Sequence, residues 1–137
     1  MANCILGYGF GITACLGCLE FIHYLILLLM LIVVSKVFVP RGFRAITIFP
    51  FILLRYKEDR NDARLINHER IHLRQQLELL IVPFYLWYSF EYFLKLVRYK
   101  DKNLAYRAIS FEREAYDNEN NFYYLKQRSF CSSFKYI

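Results

Sequence analysis

The run Asn67-His68-Glu69-Arg70-Ile71-His72 sets two imidazoles four residues apart, with a carboxylate directly after the first. On a helix such a pair lies one turn apart on one face, where both rings can reach a single tetrahedral Zn²⁺. Glu69 is rotated from His68 by about 100°. It therefore addresses a water on the metal instead of the metal itself, and can take that water's proton. The chemistry this spacing supports is zinc-assisted hydrolysis, with His68 and His72 as ligands and Glu69 as base. A charged helix face with incidental histidines is the plainer alternative, although two of the chain's three histidines fall inside the motif.

Zinc needs a third protein ligand and an open position for water. A third histidine on the same helix is excluded: the glycine and histidine required three and six residues after His72 are Gln75 and Glu78. A downstream carboxylate remains, and Phe111-Glu112-Arg113-Glu114-Ala115-Tyr116 offers two. If residues 104–126 form one helix, Glu112 shares a face with Ala105, Ala108, Ile109, Ala115, Tyr116 and Glu119, a small and mostly apolar surface suited to close packing. Glu114 shares its face with Arg107, Ser110, Asp117, Asn118 and Asn121, with Phe111 its one apolar member. Glu112 is thus expected to point inward toward a metal, or into a buried ion pair with an arginine such as Arg64 or Arg74, and Glu114 outward to water.

The two motifs together resemble the gluzincin group of zinc metallopeptidases, whose second motif has the form Glu-x-x-Ala/Ser-Asp. They are also similar to a set of small, largely uncharacterised bacterial membrane-linked proteins, over roughly Val33 to Tyr136. The resemblance implies one Zn²⁺ held by His68, His72 and Glu112, with Glu69 as base, in a small membrane-associated peptidase acting on peptides or proteins. The alternative is a non-catalytic zinc-binding or peptide-binding membrane protein, an inactive peptidase relative. The chain departs from the pattern at Tyr116, where many gluzincins have an aspartate that orients a ligand histidine. The resemblance also assigns edge pairing with substrate to part of Arg44 to Phe49, against an ordinary hairpin arm as the alternative. Tyr106 and Tyr116 near the inward face are oxyanion donors or core residues.

The elements that must position these groups read as α+β, mainly helical. Residues 33–54 are β-branched and aromatic around Pro40-Arg41-Gly42, which predicts a hairpin turning there, with Pro50 ending regular pairing or placing its arm on an edge. Residues 56–61 read as a loop, with Asp62 as N-cap of a helix that runs from Ala63 to Val82 and stops at Pro83. An aromatic-rich second helix spans Phe84–Arg98, suited to a bilayer interface or a dense core. A third runs from about Leu104 to Lys126.

The rest of the chain divides at about residue 35, giving an apolar segment 1–35 and a minimal peptidase-like domain 36–137. All 18 Lys and Arg lie at or after Lys36, and of the 12 acidic residues only Glu20 precedes it, so the body carries +7. Ile12–Val34 is long enough, at roughly 35 Å as a helix, to cross a bilayer of about 30 Å. Lys36, Arg41 and Arg44 beyond it place the body on the cytoplasmic side, against the anionic inner leaflet of what the resemblance makes a bacterial inner membrane. The glycines at 7, 9, 11 and 17 suit a flexible leader, or upstream sequence translated from a misplaced start. The motifs of nucleic-acid binders are absent, so nucleic acid is not an expected partner. Cys15 and Cys18 lack the second pair that a structural zinc site needs, and read as small apolar residues. His23 reads as a packing residue. Neither the oligomeric state nor the substrate is legible.

Overall fold

The computed structural model describes residues 31–137. Residues 1–30, with Cys4, Cys15, Cys18, His23 and most of the expected membrane helix, lie outside the described residues. The last four residues of that expected helix, Leu31–Val34, are strand β1. The apolar segment assigned to residues 1–35 therefore gives its C-terminal end to the body's sheet. Among the described residues no single helix is long and apolar enough to cross a membrane.

The sheet has the order β1-β3-β2, with β2 at Ala45–Ile48 and β3 at Phe51–Leu54. β1 runs parallel to β3, and β2 antiparallel to it. The expected turn at Pro40-Arg41-Gly42 forms, with the Phe43 amide donating to the Pro40 carbonyl at 3.2 Å and Gly42 at φ 99°. It does not join paired strands. The hairpin turns instead at Phe49-Pro50, where a missing proline N–H costs no ladder bond, and β3 becomes the central strand.

A 3₁₀ turn at Lys57–Asn61 leads into α1, Ala63–Glu78. Asp62 caps it as expected, accepting from the Leu65 amide at 3.1 Å. The helix does not reach Val82. A proline ring clashes with the carbonyl four residues back, here Leu79, so continuous helix through Pro83 is blocked. The chain breaks at Leu79-Leu80, Leu80 takes φ 64°, and the axis turns by 111° into α2, Ile81–Tyr99. Pro83 thereby lands in the first turn of α2, where its lost donor has no partner to miss.

The expected third helix is three pieces: α3 (Lys102–Arg107), α4 (Ser110–Asn118) and α5 (Tyr124–Gln127), followed by a 3₁₀ turn at Ser132–Tyr136. Ile109 is extended (ψ 135°) and separates α3 from α4. The core meets there, with Phe84 of α2 packed against Ile109 and Phe111. Ala105, Ile109 and Ala115, expected to face inward, are fully buried.

Candidate metal centre

Three helices converge on one point. α1 carries His68 and His72 on its buried face, and α4 carries Glu112 in its first turn. α4 is held at both ends. At its start, Glu91 of α2 accepts from the Ser110 amide (2.9 Å) and hydroxyl (2.6 Å), placing a carboxylate where the helix amides need an acceptor. At its end, the Asn67 side-chain amide donates to the Glu119 carbonyl at 2.9 Å and lies 3.4 Å from that of Asn118. Asn67 sits immediately before the first histidine, so one contact fixes the distance between the two ligand-bearing helices.

The three residues form a triangle, with one ligand atom of each within 4.8 Å of the others. His68 Nε2 and His72 Nε2 are 3.1 Å apart, His68 Nε2 is 3.5 Å from Glu112 Oε2, and His72 Nε2 is 3.3 Å from Glu112 Oε1. All three residues are buried. Neither alternative arginine reaches Glu112: Arg64 pairs with Glu119 at 3.5 Å and Arg74 with Glu78 at 3.0 Å.

The protonation of both imidazoles follows from what holds their other nitrogens. His68 Nδ1 lies 3.0 Å from Glu119 Oε2, and a carboxylate only accepts, so Nδ1 carries the hydrogen. His72 Nδ1 lies 2.7 Å from Gln75 Oε1. The Gln75 amide cannot be turned the other way, because its nitrogen donates to the Phe111 carbonyl (3.1 Å) and to Glu114 Oε2 (3.0 Å), both acceptors. His72 Nδ1 is therefore also a donor. Nε2 is then the nitrogen that each ring turns to the space Glu112 faces, where it gives a lone pair to a metal ion or takes a proton. Three acceptors this close repel one another unless a cation or a proton lies between them.

Glu112 completes the case for a cation. Its Oε1 accepts from the Tyr88 hydroxyl at 2.8 Å, whereas Oε2 is buried without a hydrogen-bond donor. Burial raises this carboxyl, but the adjacent imidazoles outweigh it and hold the group well below the usual carboxylate range. For His72 the order is the same with opposite sense: burial lowers it, and Glu112 more than offsets this, raising it to about 9. Without a metal, a proton on His72 thus supplies the positive charge beside Glu112, and His68, His72 and Glu112 can hold a metal ion in its place.

Glu69 is buried beside this triangle, and one of its oxygens, Oε2, accepts a short hydrogen bond from the Thr47 hydroxyl of β2. Burial raises its carboxyl, partly countered by His72 and Thr47. Tyr106 borders Glu112 and the phenols of Tyr88 and Tyr116. Burial, then the Glu112 charge, raises both Tyr88 and Tyr106, so their hydroxyls stay protonated and can donate. The Tyr116 ring stands edge-on to His68 with centroids 4.8 Å apart. The group opens into a cleft of about 1480 Å³ between β2 and the helices.

β2 is the sheet edge that borders this cleft. The Arg55 amide donates to the Arg44 carbonyl, so by antiparallel alternation Ile46 and Ile48 also bond to β3, while the main-chain groups of Ala45 and Thr47 point away. The Thr47 carbonyl is already taken, by the Gln76 amide (2.9 Å) and the Tyr85 hydroxyl (2.8 Å). Gln76 also accepts from the Phe49 amide at 2.9 Å, imitating a neighbouring strand. Ala45 and the Thr47 amide are the part of the edge facing the cleft that these contacts leave open.

Glu114 does not face water. It is fully buried, with Arg128 at 2.5 Å, Tyr124 at 2.7 Å, and Ser133 and Gln75 also donating to it. The outward reading assumed one straight helix with nothing beyond it, whereas the chain after Asn118 folds back and covers that face. Sequence reasoning put Glu119 on the inward face and Thr47 in the edge segment, but gave neither of them, nor Gln75, a role at the site. Gln75 lies three residues after His72 on one helix face, and Glu119 seven after Glu112, so helical spacing was a usable signal for both. Thr47 reaches Glu69 across 22 positions, and no local pattern marks it. Comparison with known protein families, curated proteins and solved structures finds no match, so the likeness to gluzincins rests on the two motifs alone.

Proposed function

We propose that the chain is a small zinc-dependent peptidase working at a membrane surface, with His68, His72 and Glu112 as zinc ligands and Glu69 as general base. The observation that carries this reading is the Glu112 carboxylate, its Oε2 without a hydrogen-bond donor, set against two imidazoles whose Nδ1 atoms are both committed as donors. The donor set suits zinc: bonds of about 2.0–2.1 Å in a tetrahedron put neighbouring ligand atoms roughly 3.3–3.4 Å apart, in the range seen here. Zinc when bound supplies Lewis-acid polarisation of a carbonyl and a lowered pKa for water.

The chain's own residues supply the rest. Glu69, held by Thr47 at one oxygen, keeps the other for the attacking water, takes its proton and returns it to the leaving amine. An extended peptide pairs with the open main-chain groups of Ala45 and the Thr47 amide, which is recognition largely independent of its sequence. Tyr106 and Tyr116 are candidate donors to the developing oxyanion. The +7 body and the apolar first 35 residues support association with an anionic inner leaflet, with the site in the cytoplasm.

Glu69→Gln separates this from the second reading, a non-catalytic metal- or peptide-binding protein; Tyr116 replaces the orienting aspartate of gluzincins, but Glu119 supplies a carboxylate to His68 Nδ1. Incubation of the purified chain with a mixed peptide library should give cleavage that Glu69→Gln loses by at least about a hundredfold while keeping its zinc. Full zinc with no cleavage by the wild-type chain selects the non-catalytic reading.

A further inference from the structure

We propose that α2 lies flat in the headgroup region of an anionic bilayer, with its outward face inserted. From Val82 to Val97 every exposed residue of this helix other than Ser89 is apolar: Val82, Pro83, Leu86, Trp87, Phe90, Phe93, Leu94 and Val97. That is roughly 24 Å of helix without an exposed charge. Its one acidic residue, Glu91, is buried on the opposite side against Ser110, and Lys95, half-buried, stays near it at 3.8 Å. Exposed charge begins where the apolar face ends, with Arg98, Lys100 and Lys102 against a single Asp101 that is occupied in capping α3.

The occupant follows from this layout. A spanning helix is excluded by the other face, which carries Glu91 and packs Phe84, Tyr88 and Tyr92 on the protein. An interfacial helix needs one apolar face, aromatic residues at headgroup depth, and cations near lipid phosphates, and α2 has all three. Phe134 of the C-terminal turn packs edge-on against Trp87 at 5.9 Å and widens the face. This contact deepens the membrane association proposed above by naming the surface that makes it, and it does not depend on the metal.

Trp87 is the chain's single tryptophan and sits in the middle of the face, so its emission reports this contact alone. The full chain is mixed with vesicles of phosphatidylcholine, with or without phosphatidylglycerol, some carrying brominated acyl chains. The expected result is a blue shift and bromine quenching of Trp87 with the anionic vesicles, weakened in 1 M salt, where the Debye length falls to about 3 Å. Phe90→Glu with Leu94→Glu should weaken vesicle binding at least about tenfold, with helicity and zinc content unchanged. Sedimentation with vesicles but no quenching overturns the α2 contact and leaves membrane association standing. No sedimentation overturns both. Emission already blue-shifted without lipid, together with a dimer by light scattering, shows a second copy on the face and also overturns it.

Discussion

Replacing Glu119 with alanine removes the acceptor that holds His68 Nδ1 at 3.0 Å, without touching a residue of the triangle itself. The bond matters because it keeps the hydrogen on Nδ1 and the lone pair on Nε2, and it strengthens as the ring gives that lone pair to a cation. Outer partners of this kind are worth 10- to 100-fold in metal affinity, or about 1.4–2.7 kcal/mol. Glu119 is mostly buried, at 14% side-chain exposure, so water replaces the lost acceptor only in part and the upper half of that range is expected. Glu119→Gln keeps an accepting oxygen and loses only the charge, which predicts a deficit of about tenfold or less. Arg64 touches Glu119 from solvent at 3.5 Å and is more than half exposed, so Arg64→Ala should leave affinity within about twofold. The assay is competition for zinc with a chromophoric chelator at fixed pH, after circular dichroism confirms each variant is folded. Wild-type affinity in Glu119→Ala, or an equal loss in Arg64→Ala, would refute the assigned role of Glu119.

Gln75→Leu should weaken zinc binding by a similar 10- to 100-fold, since His72 Nδ1 loses its acceptor; ¹⁵N chemical shifts of the His72 ring should then show mixed tautomers in place of one. Arg128→Met leaves Glu114 buried and unpaired, which predicts a loss of about 3–5 kcal/mol in urea unfolding, and a loss below 1 kcal/mol contradicts the buried-pair account. The same carboxylate sets an acid limit. Burial raises Glu114, but Arg128, Ser133 and Tyr124 outweigh it and lower it below the ordinary glutamate value. A lowered folded value means its stabilisation is present above about pH 4.5 and lost as the pH falls through the folded value. The thermal midpoint of the wild-type chain should therefore drop more steeply below pH 4.5 than that of Glu114→Gln, and parallel curves would remove Glu114 from the acid transition.

Much of the α+β architecture and the convergence of His68, His72 and Glu112 was legible, because both depend on periodicity within single helices. Glu112 is buried as expected, but not by the single face argued for it: Ile109 breaks the helix between Ala105 and Ala115, Tyr116 of that face is exposed, and Ser110, Phe111 and Glu114 of the other face are buried as well. Glu114 was misread because its burial comes from Arg128 and Ser133, which reach it only after the chain reverses beyond Asn118. The hairpin was misplaced because two proline-containing turns, at Pro40 and Pro50, look alike locally, and strand pairing decides between them. Pro83 marked a break correctly, but its clash falls four residues upstream, so α1 ends at Glu78. What holds the imidazoles, Gln75 on one and Glu119 on the other, lay within helical reach and needed the tautomer question to be asked of each ring.

The central claim is that Glu112 shares one ion with the two histidines. X-ray absorption at the zinc edge of the loaded wild-type chain and of Glu112→Gln tests it directly. The expected result is two imidazole nitrogens and oxygen donors at about 2.0–2.2 Å in the wild type, at near one zinc per chain, and a sharp loss of zinc in Glu112→Gln. A wild-type chain that takes up no zinc, or an identical spectrum and affinity in Glu112→Gln, would contradict it.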